Sequence, residues 1–390
     1  MGTITLKDTV IPTGGKTSFI PDITPGYYQN AQGGLEQLQT GILYYSSNND
    51  IAMVDSDGTV HAIKAGKVQI HAELLEGTSA VLLPAVESYH VLIIDRSQYM
   101  GTDAMLDAKN VAIQYCQAVL KQHPSDKLAI VVAGDISSTK AICSWTNDLN
   151  MLQNAITSIS AGGTVLYSAA FKEAQVLISS VSSTKTNINK NIVVFGCGID
   201  DPGDVDYAKM ILDSSNKDNA LNMYAFAFYS GTLSSTSRVA GQSFLRSLTQ
   251  IQWIDSSNRA ATQDFYFEGL DSSAMSHALN MIANRPVVQN NIADSYITSY
   301  DINVYEDTQK TKISLGDVNN DGSINAEDAN AILIAAARLG TGKASGLTAE
   351  LEKAADVNND GVLNAKDATS VLRYAAAVGT GQKVSIEDFA

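Results

Sequence analysis

A short acidic pattern occurs twice near the end of the chain, at residues 317–328 and again at residues 356–367. In each copy, oxygen-bearing side chains stand at positions 1, 3, 5, 9 and 12, and glycine stands at position 6. A hard cation takes about six to eight oxygen ligands, and a tight loop points alternate residues inward when a glycine lets the chain turn sharply. The spacing therefore predicts two Ca²⁺ sites, one in each copy.

The expected ligands follow the EF-hand loop, in which position 7 gives its backbone carbonyl and position 9 ligates directly or through water. They are Asp317, Asn319, Asp321, Ser323, Asn325 and Asp328 in the first loop, and Asp356, Asn358, Asp360, Val362, Asn364 and Asp367 in the second. Position 12 is Asp in both copies, where an EF-hand usually has Glu. The alternative, two acidic turns without a metal, is disfavoured by the paired spacing.

Each loop is followed by apolar residues at i, i+3, i+4 and i+7, which predict a helix with these side chains in the core. The two sets are Ala329, Ile332, Leu333 and Ala336, then Ala368, Val371, Leu372 and Ala375. Both helices are expected to end at Gly-Thr-Gly. A loop followed by a helix, doubled, resembles the dockerin module of cellulosome-type assemblies over residues 313–390. The resemblance implies a calcium-dependent plug that binds a cohesin module on a scaffold protein.

One face of the first of these helices is predicted to bind the cohesin. Four residues at helical spacing are expected to be exposed opposite the apolar set: Glu327, Ala331, Ile334 and Arg338. The equivalent positions of the second helix are Lys366, Ser370, Arg373 and Ala377. Because a Glu becomes a Lys and an Ile becomes an Arg, we expect one preferred binding face.

The overall composition bounds the class of protein. With 390 residues the chain is long enough for two or three domains. A net charge of −15 argues against a nucleic acid or an anionic membrane as partner. The sequence contains no apolar run of 18 residues, so no membrane-spanning segment is predicted. Since dockerin partners are extracellular, we expect an extracellular protein, associated with a cellulosome or cell surface, whose signal peptide is missing from this sequence. Cys116, Cys143 and Cys197 are expected to be buried thiols, with one disulfide as the alternative.

Residues 1–87 read as short alternating strands separated by Gly, Pro, Asn and Asp clusters, with a hairpin at Asp57-Gly58. This region is similar to bacterial immunoglobulin-like domains of group 2, which implies a β-sandwich that serves as a spacer or adhesive module. His61 and His71 alternate with apolar neighbours and are expected to face solvent. Residues 287–312 again alternate, and we expect them to pair with these strands.

From about residue 88 to residue 286, strands alternate with amphipathic helices. This order predicts a doubly wound parallel sheet with helices on both faces and a site at the carboxyl ends of the strands. The whole chain is thus expected to be multidomain: a β-sandwich, a doubly wound α/β domain and a small all-α calcium-binding domain.

At those strand ends stand Asp95 and Ser97, and a Gly-Gly-Thr segment ends at Thr164. With these residues and the strand pattern, the region resembles a von Willebrand factor type A domain. The resemblance implies that Asp95, Ser97 and Thr164 occupy ligand positions of the family's metal-ion-dependent adhesion site. Tyr99 replaces the second Ser of that site and Cys197 replaces its Asp. A phenol and a thiol suit Mg²⁺ poorly, so we expect an altered site, with a working one left open if Asp200 and Asp201 reach it.

These domains leave no stretch for a glycosidase domain with two carboxylates across a cleft. Cys197 and His277 are the remaining nucleophile and base candidates, but nothing in the sequence places them together. We therefore expect a non-catalytic component in which the type A domain contacts a protein or polysaccharide. The alternatives are a spacer without a ligand of its own or, less favoured, an accessory to polysaccharide-degrading enzymes.

Overall fold

The computed structural model describes residues 3–181, 187–199, 221–254, 260–270, 272–289, 292–306, 314–342 and 344–390. The chain divides into two compact units, Met1–Glu306 and Asp307–Ala390. Among the described residues, no helix combines the length and the hydropathy that a bilayer crossing requires.

Alternating apolar residues form the first strands of the chain. These are β1 (Thr3–Leu6), β2 (Val10–Pro12), β3 (Lys16–Asp22), β4 (Tyr27–Gln29), β5 (Leu35–Gln37), β6 (Gln39–Ser46), β7 (Ala52–Val54), β8 (Thr59–Ala62) and β9 (Gly66–Gly77), joined much later by β20 (Ile292–Tyr305). Two four-stranded sheets result, with orders β1-β3-β8-β7 and β2-β20-β9-β6, while β4 and β5 pair separately. Side chains from both sheets, including Phe19, Val60 and Ile70, share one core, so this part is a β-sandwich.

Strand β20 completes the sandwich from the far side of a long insertion. It runs antiparallel to β9, from Ile292 opposite Gly77 to Val304 opposite Gly66, and parallel to β2. Ile302 and Val304 are buried in the sandwich core. The segment between β9 and β20 is therefore inserted between two neighbouring strands of one sheet.

The inserted segment contains the largest sheet of the described chain. Its strands are β10 (Leu82–Leu83), β11 (Glu87–Asp95), β12 (Lys127–Ala133), β13 (Lys140–Thr146), β14 (Ile188–Gly196), β15 (Leu221–Ala227), β16 (Gln250–Ile254), β17 (Ala260–Asp264), β18 (Tyr266–Glu268) and β19 (Val287–Val288). Six of them form a sheet of order β13-β12-β11-β14-β15-β18, parallel except for the edge strand β13. The remaining strands pair as β10-β19 and β16-β17.

Helices cover both faces of this sheet, which confirms the predicted doubly wound class. They are α1 (Gly101–Gln122), α2 (Leu149–Ser158), α3 (Tyr167–Ser179), α4 (Ser235–Thr249) and α5 (Ser272–Ala283). Along β11, Leu92 and Ile94 enter the core on the side of α1, whereas Val91 and Ile93 enter the core on the side of α3. All three cysteines are buried free thiols.

The sandwich and the inserted domain pack against each other, and this contact explains a wrong prediction. His61 and His71, expected to face solvent, are only 5% and 0% exposed. His71 Nε2 lies 2.9 Å from the Thr262 carbonyl of β17, and its Nδ1 lies 2.8 Å from Ser299 Oγ of β20. The two histidines do alternate with apolar residues along their strands, but the strand face opposite the sandwich core is covered by the inserted domain.

The described residues of the second unit form the α-helices α6 (Ala326–Gly340), α7 (Ala349–Ala355) and α8 (Ala365–Gly379) and a 3-10 helix, Ile386–Phe389. The side chains of Asn325 and Asn364 cap the first and last of these, each in a capping box with the Asp three residues later. Val318, Ile332, Val357 and Val371 lie in a shared core. The loop-then-helix arrangement predicted from the sequence is thus present twice.

The predicted core faces of α6 and α8 are partly wrong. Ala329 and Ile332, with Ala368 and Val371, are buried, but Leu333 and Leu372 are 44% and 46% exposed. The shared core is instead extended on α6 by Ala335. Three apolar residues in succession, at 332–334, fit more than one helical face, and close helix packing selects the face with the small residue.

Candidate functional site

Both acidic loops have the backbone that a cation-binding loop needs. Asn320 and Asn359 adopt φ of 55° and 53°, and the glycines at loop position 6, Gly322 and Gly361, adopt φ of 86° and 77°. These left-handed conformations turn the chain sharply, and glycine or asparagine adopts them at low cost. The two copies therefore fold alike at the residues where the ligand spacing requires it.

The carboxylates of the first loop are fixed by backbone N–H groups. Asp328 Oδ1 accepts from Val318 and Asn319 at 2.8 and 3.1 Å, and its Oδ2 accepts from Asn325 at 2.9 Å. Asp317 accepts from Asp321 and Gly322 at 3.1 and 3.0 Å. These bonds hold the predicted ligands around one loop.

The second loop repeats this arrangement. Asp367 accepts from the N–H groups of Asn358 and Asn364 at 3.3 and 2.9 Å. Asp356 accepts from those of Asp360 and Gly361 at 3.0 and 2.8 Å. The bond from Val318 has no counterpart, because the Val357 N–H donates to the Ala355 carbonyl, but the other bonds recur and indicate one function for both loops.

The buried charge of these loops fits a cation. Asp328 and Asp367 are 0% exposed, and no described Lys or Arg forms an ion pair with either of them. Burial raises the pKa of Asp317, and the nearby charges of Asp328 and Asp321 raise it further. Uncompensated buried carboxylates are costly, and oxygen donors of this kind suit Ca²⁺. The residues present therefore fit the ion, which would neutralise the repulsion between them.

The proposed cohesin face of α6 is mostly exposed. Ile334 is 54% exposed, Glu327 and Arg338 are also exposed, and Ala331 is half-buried against the core, which corrects its predicted exposure. Arg338 follows Ile334 by four residues on the same helical face, and its Nε donates to the Ala344 carbonyl at 3.0 Å, which orients the guanidinium. An apolar side chain and an oriented arginine thus share one surface.

The corresponding face of α8 differs in conformation as well as in sequence. Ser370 and Ala377, predicted to be exposed, are only 7% and 9% exposed. The Arg373 guanidinium lies 5.7 Å from the centroid of the Phe389 ring and is engaged by it. Lys366 is exposed. The two faces are therefore not equivalent surfaces.

In the inserted domain, the structure brings together Asp95, Ser97 and Cys197 at the carboxyl ends of β11 and β14. Asp95 Oδ1 accepts from the Ser97 N–H at 2.7 Å. Asp95 Oδ2 accepts from the N–H and the thiol of Cys197, each at 3.2 Å, and from the Tyr167 hydroxyl at 2.9 Å. Asp95 and Ser97 are both 0% exposed. Protein donors therefore saturate the central carboxylate.

Tyr167 is the residue of this site that the sequence pattern missed. It follows the Gly-Gly-Thr segment as the first residue of α3, and its hydroxyl also accepts the Gly198 N–H at 3.1 Å. Gly196 permits this approach, because a Cβ there would lie 2.6 Å from the Tyr167 hydroxyl. A tyrosine three residues after Thr164 was the available signal, but tyrosines at helix starts are too common to single out.

Burial also affects the two groups that donate to Asp95. Burial, reinforced by the Asp95 charge, raises the pKa values of both the Cys197 thiol and the Tyr167 hydroxyl far above their ordinary ranges. Both groups therefore stay protonated and donate to Asp95. A neutral thiol and phenol are poor ligands for Mg²⁺.

The other predicted positions lie apart from this cluster. Thr164 is exposed, and none of its described contacts reaches Asp95, although the Gln98 N–H donates to the Gly163 carbonyl at 2.9 Å. Tyr99 is 37% exposed. Asp200 and Asp201 lie outside the described residues. Among the described residues, the ligand set does not fit Mg²⁺ at this position.

Models of three protein families match the chain in order. Residues 30–81 match the bacterial Ig-like domain (group 2), residues 90–199 match the von Willebrand factor type A domain, and residues 315–375 match the dockerin type I domain. No curated protein sequence matches.

Several solved structures are similar to part of the chain. The vWF domain of the type V pili tip protein Mfa5 from Porphyromonas gingivalis is 11% identical with a TM-score of 0.37, covering 52% of this chain and 95% of that one. The manganese-loaded TRAP protein of Plasmodium vivax is 14% identical with a TM-score of 0.39, covering 61% and 83%. The structure of three N-terminal domains of Mfa5 is 13% identical with a TM-score of 0.27, and the match covers 46% of this chain. This chain thus spans only 28% of the length of that structure.

Proposed function

We propose that this chain, which carries a group 2 bacterial Ig-like domain, a von Willebrand factor type A domain and a type I dockerin domain, is a non-catalytic adhesion component of a cellulosome-type assembly. The dockerin binds a scaffold cohesin in a Ca²⁺-dependent way. Each acidic loop holds one ion through the oxygen ligands predicted above, and the ions lock the loops against α6 and α8. This role places the protein outside the cell, on a cellulosome or cell surface.

The observation that carries the proposal is the surface of α6. Ile334 is more than half exposed, and Arg338, four residues later on the same helical face, is exposed with its guanidinium fixed by the Ala344 carbonyl. Arginine is enriched among the residues that dominate binding energy at protein interfaces, and an exposed isoleucine offers apolar area for a partner to bury. Leu333 adds further exposed apolar area, so this ridge is the proposed cohesin contact.

The duplicated helix supports a single orientation. Leu372 of α8 is exposed like Leu333 of α6, and this pair alone would support two interchangeable modes. However, the neighbour of Leu372 is Arg373, which is engaged by Phe389, whereas the neighbour of Leu333 is the exposed Ile334. A cohesin matched to the α6 face would lose its apolar anchor on α8.

The experiment compares two double variants of the full chain against a panel of cohesins. Ile334→Asp with Arg338→Ala should weaken binding to the cognate cohesin by about 30-fold or more, because hot-spot residues are worth about 2 kcal/mol or more. Lys366→Ala with Arg373→Ala is the matched control and should change affinity by less than about threefold. Equal small losses would refute the single face, and a large loss from the second pair alone would place the contact on α8.

For the type A domain we propose a contact surface for a protein or polysaccharide at the carboxyl edge of its sheet. Ile136 is 79% exposed in the loop after β12, and Tyr99 is partly exposed at the same edge. A pull-down of the Met1–Glu306 unit with plant polysaccharides, starch and scaffold proteins tests this. The runner-up function, a spacer without its own ligand, predicts that none of them is retained.

The described geometry supports a non-catalytic role. Cys197 contacts Asp95 and Ser97, while His277 stacks on His61, so they do not form a nucleophile and base pair. The raised pKa of Cys197 also keeps its thiol protonated and unreactive.

A further inference from the structure

Three metal-ligating side chains meet where the sandwich packs against the inserted domain. Asp55 lies in the turn after β7, His61 lies on β8, and His277 lies on α5. One potential ligand atom from each lies within 4.8 Å of those of the other two. The three residues come from two domains and from distant parts of the sequence.

The geometry of the three is compact. His61 Nε2 lies 2.7 Å from Asp55 Oδ2. The rings of His61 and His277 are stacked with centroids 3.8 Å apart and planes inclined by 31°. His61 is buried, whereas Asp55 and His277 are half-buried, so the cluster is accessible from one side. Asp55 and His277 therefore give the cluster access to solvent ions.

From this arrangement we infer that Asp55, His61 and His277 form a binding site for a divalent transition metal ion of the zinc class. Two imidazole nitrogens and one carboxylate oxygen are the borderline ligands that Zn²⁺ and its neighbours prefer, and the accessible side leaves a fourth position for water. The oxygen-only loops of the second unit have the opposite preference, for a hard cation such as Ca²⁺. The chain thus has two kinds of metal site with different selectivity.

Asp55 is the acidic member of the cluster, and the two histidines supply its nitrogen ligands. Lys16 stands opposite His61 on the neighbouring strand, and its positive charge opposes an incoming cation.

A bound ion would fasten the two domains to each other. The sandwich supplies two ligands and the inserted domain supplies the third. Within the first unit, the chain connects these domains next to the short β10-β19 pair, so the metal would add a separate link through α5. Because the ion binds the assembled interface and not the separated domains, binding should stabilise the unit by mass action.

The experiment titrates the metal-stripped full chain with Zn²⁺ by calorimetry and with Co²⁺ by visible absorption, with Ca²⁺ in excess to fill the acidic loops. We expect one Zn²⁺ per chain and a rise in the melting temperature of the first unit. His277→Gln and Asp55→Asn should each weaken Zn²⁺ binding by at least about tenfold, because losing even a hydrogen-bond partner of a ligand costs about 10- to 100-fold.

His123→Gln is the matched control, since His123 is half-buried on another surface, 3.4 Å from Asn284 Oδ1, and should leave affinity unchanged. His277 is half-buried, so circular dichroism verifies that its variant remains folded. Absence of Zn²⁺ and Co²⁺ binding by the unmodified chain would overturn the inference. Equal affinity of the unmodified chain and His277→Gln would also overturn it, by placing the ion elsewhere.

Discussion

Replacing Asp328 with Asn should remove one Ca²⁺ and destabilise the second unit. The side chain is fully buried, closes the first loop as its twelfth residue, and accepts three backbone N–H groups. The Asn side chain has the same shape as Asp and keeps one acceptor oxygen. Its NH2 group, however, replaces a carboxylate oxygen that would face either the ion or a backbone N–H. The change therefore tests charge and ligation with little change in volume.

The expected magnitude has two parts. At a free Ca²⁺ concentration 100 times the dissociation constant, one lost ion costs about 2.7 kcal/mol. An N–H of Val318, Asn319 or Asn325 left without its acceptor costs about 1–3 kcal/mol more. A small domain has about 5–15 kcal/mol of stability in total, so the variant should be marginally folded. Chelation of both ions should unfold the unit outright.

The assay is calorimetric Ca²⁺ titration of the full chain, with thermal unfolding followed by circular dichroism. Ser323→Ala is the matched control, because only the backbone carbonyl of Ser323 is a predicted ligand, and stability should change by less than about 0.5 kcal/mol. Asp367→Asn should reproduce the loss in the second loop. The reasoning is refuted if Asp328→Asn binds two ions with unchanged affinity, or if excess chelator leaves the spectrum and cohesin binding intact.

Two further predictions concern the inserted domain. Because Tyr167 and Cys197 donate to Asp95, the unmodified chain should show no tight Mg²⁺ binding at this site. The triple variant Tyr99→Ser, Cys197→Asp and Tyr167→Phe should bind Mg²⁺ there. Calorimetric titration with Mg²⁺ tests both results, and tight binding by the unmodified chain would contradict the first. Burial lowers the pKa of His90 in the folded state below the value of 6.5 that it has in the unfolded chain. The neutral His90 side chain therefore contributes its full stability above pH 6.5, and this stability is lost as the pH falls from 6.5 through the lower folded-state pKa. His90→Gln should show a shallower loss of melting temperature below that pH, and parallel curves would exclude this role.

The two acidic loops and the strand and helix order could be predicted from the sequence because both depend on local spacing. Asp317 to Asp328 form one loop, and its glycine fixes the turn by its own conformational freedom. Likewise, residues 91–94 of β11 are all apolar because both faces of the strand are covered. Such features need no knowledge of distant residues.

The features that were missed depend on packing between distant segments. The alternation around His61 was visible, but it could not reveal that α5 covers that face and brings His277 against it. The Tyr167 hydroxyl reaches Asp95 because α3 begins at the edge of the sheet where β11 ends. Leu333 fits the predicted core face as well as Ile332 does, because three apolar residues in succession leave the helical face ambiguous, and only the packing of α6 shows that Leu333 is exposed.

The position of β20 has a consequence for the order in which the first unit folds. This strand is central in its sheet, between β2 and β9, yet the whole inserted domain separates it from them in the chain. The entropy of closing so long a loop is large while that loop is unstructured, and non-local pairing of this kind is slow. Folding of the inserted domain, whose β10 and β19 pair beside its two ends, shortens the loop and brings Gly77 close to Ile292. The sandwich is therefore expected to close last, and a fragment that stops after β9 would expose the core positions that Ile302 and Val304 fill.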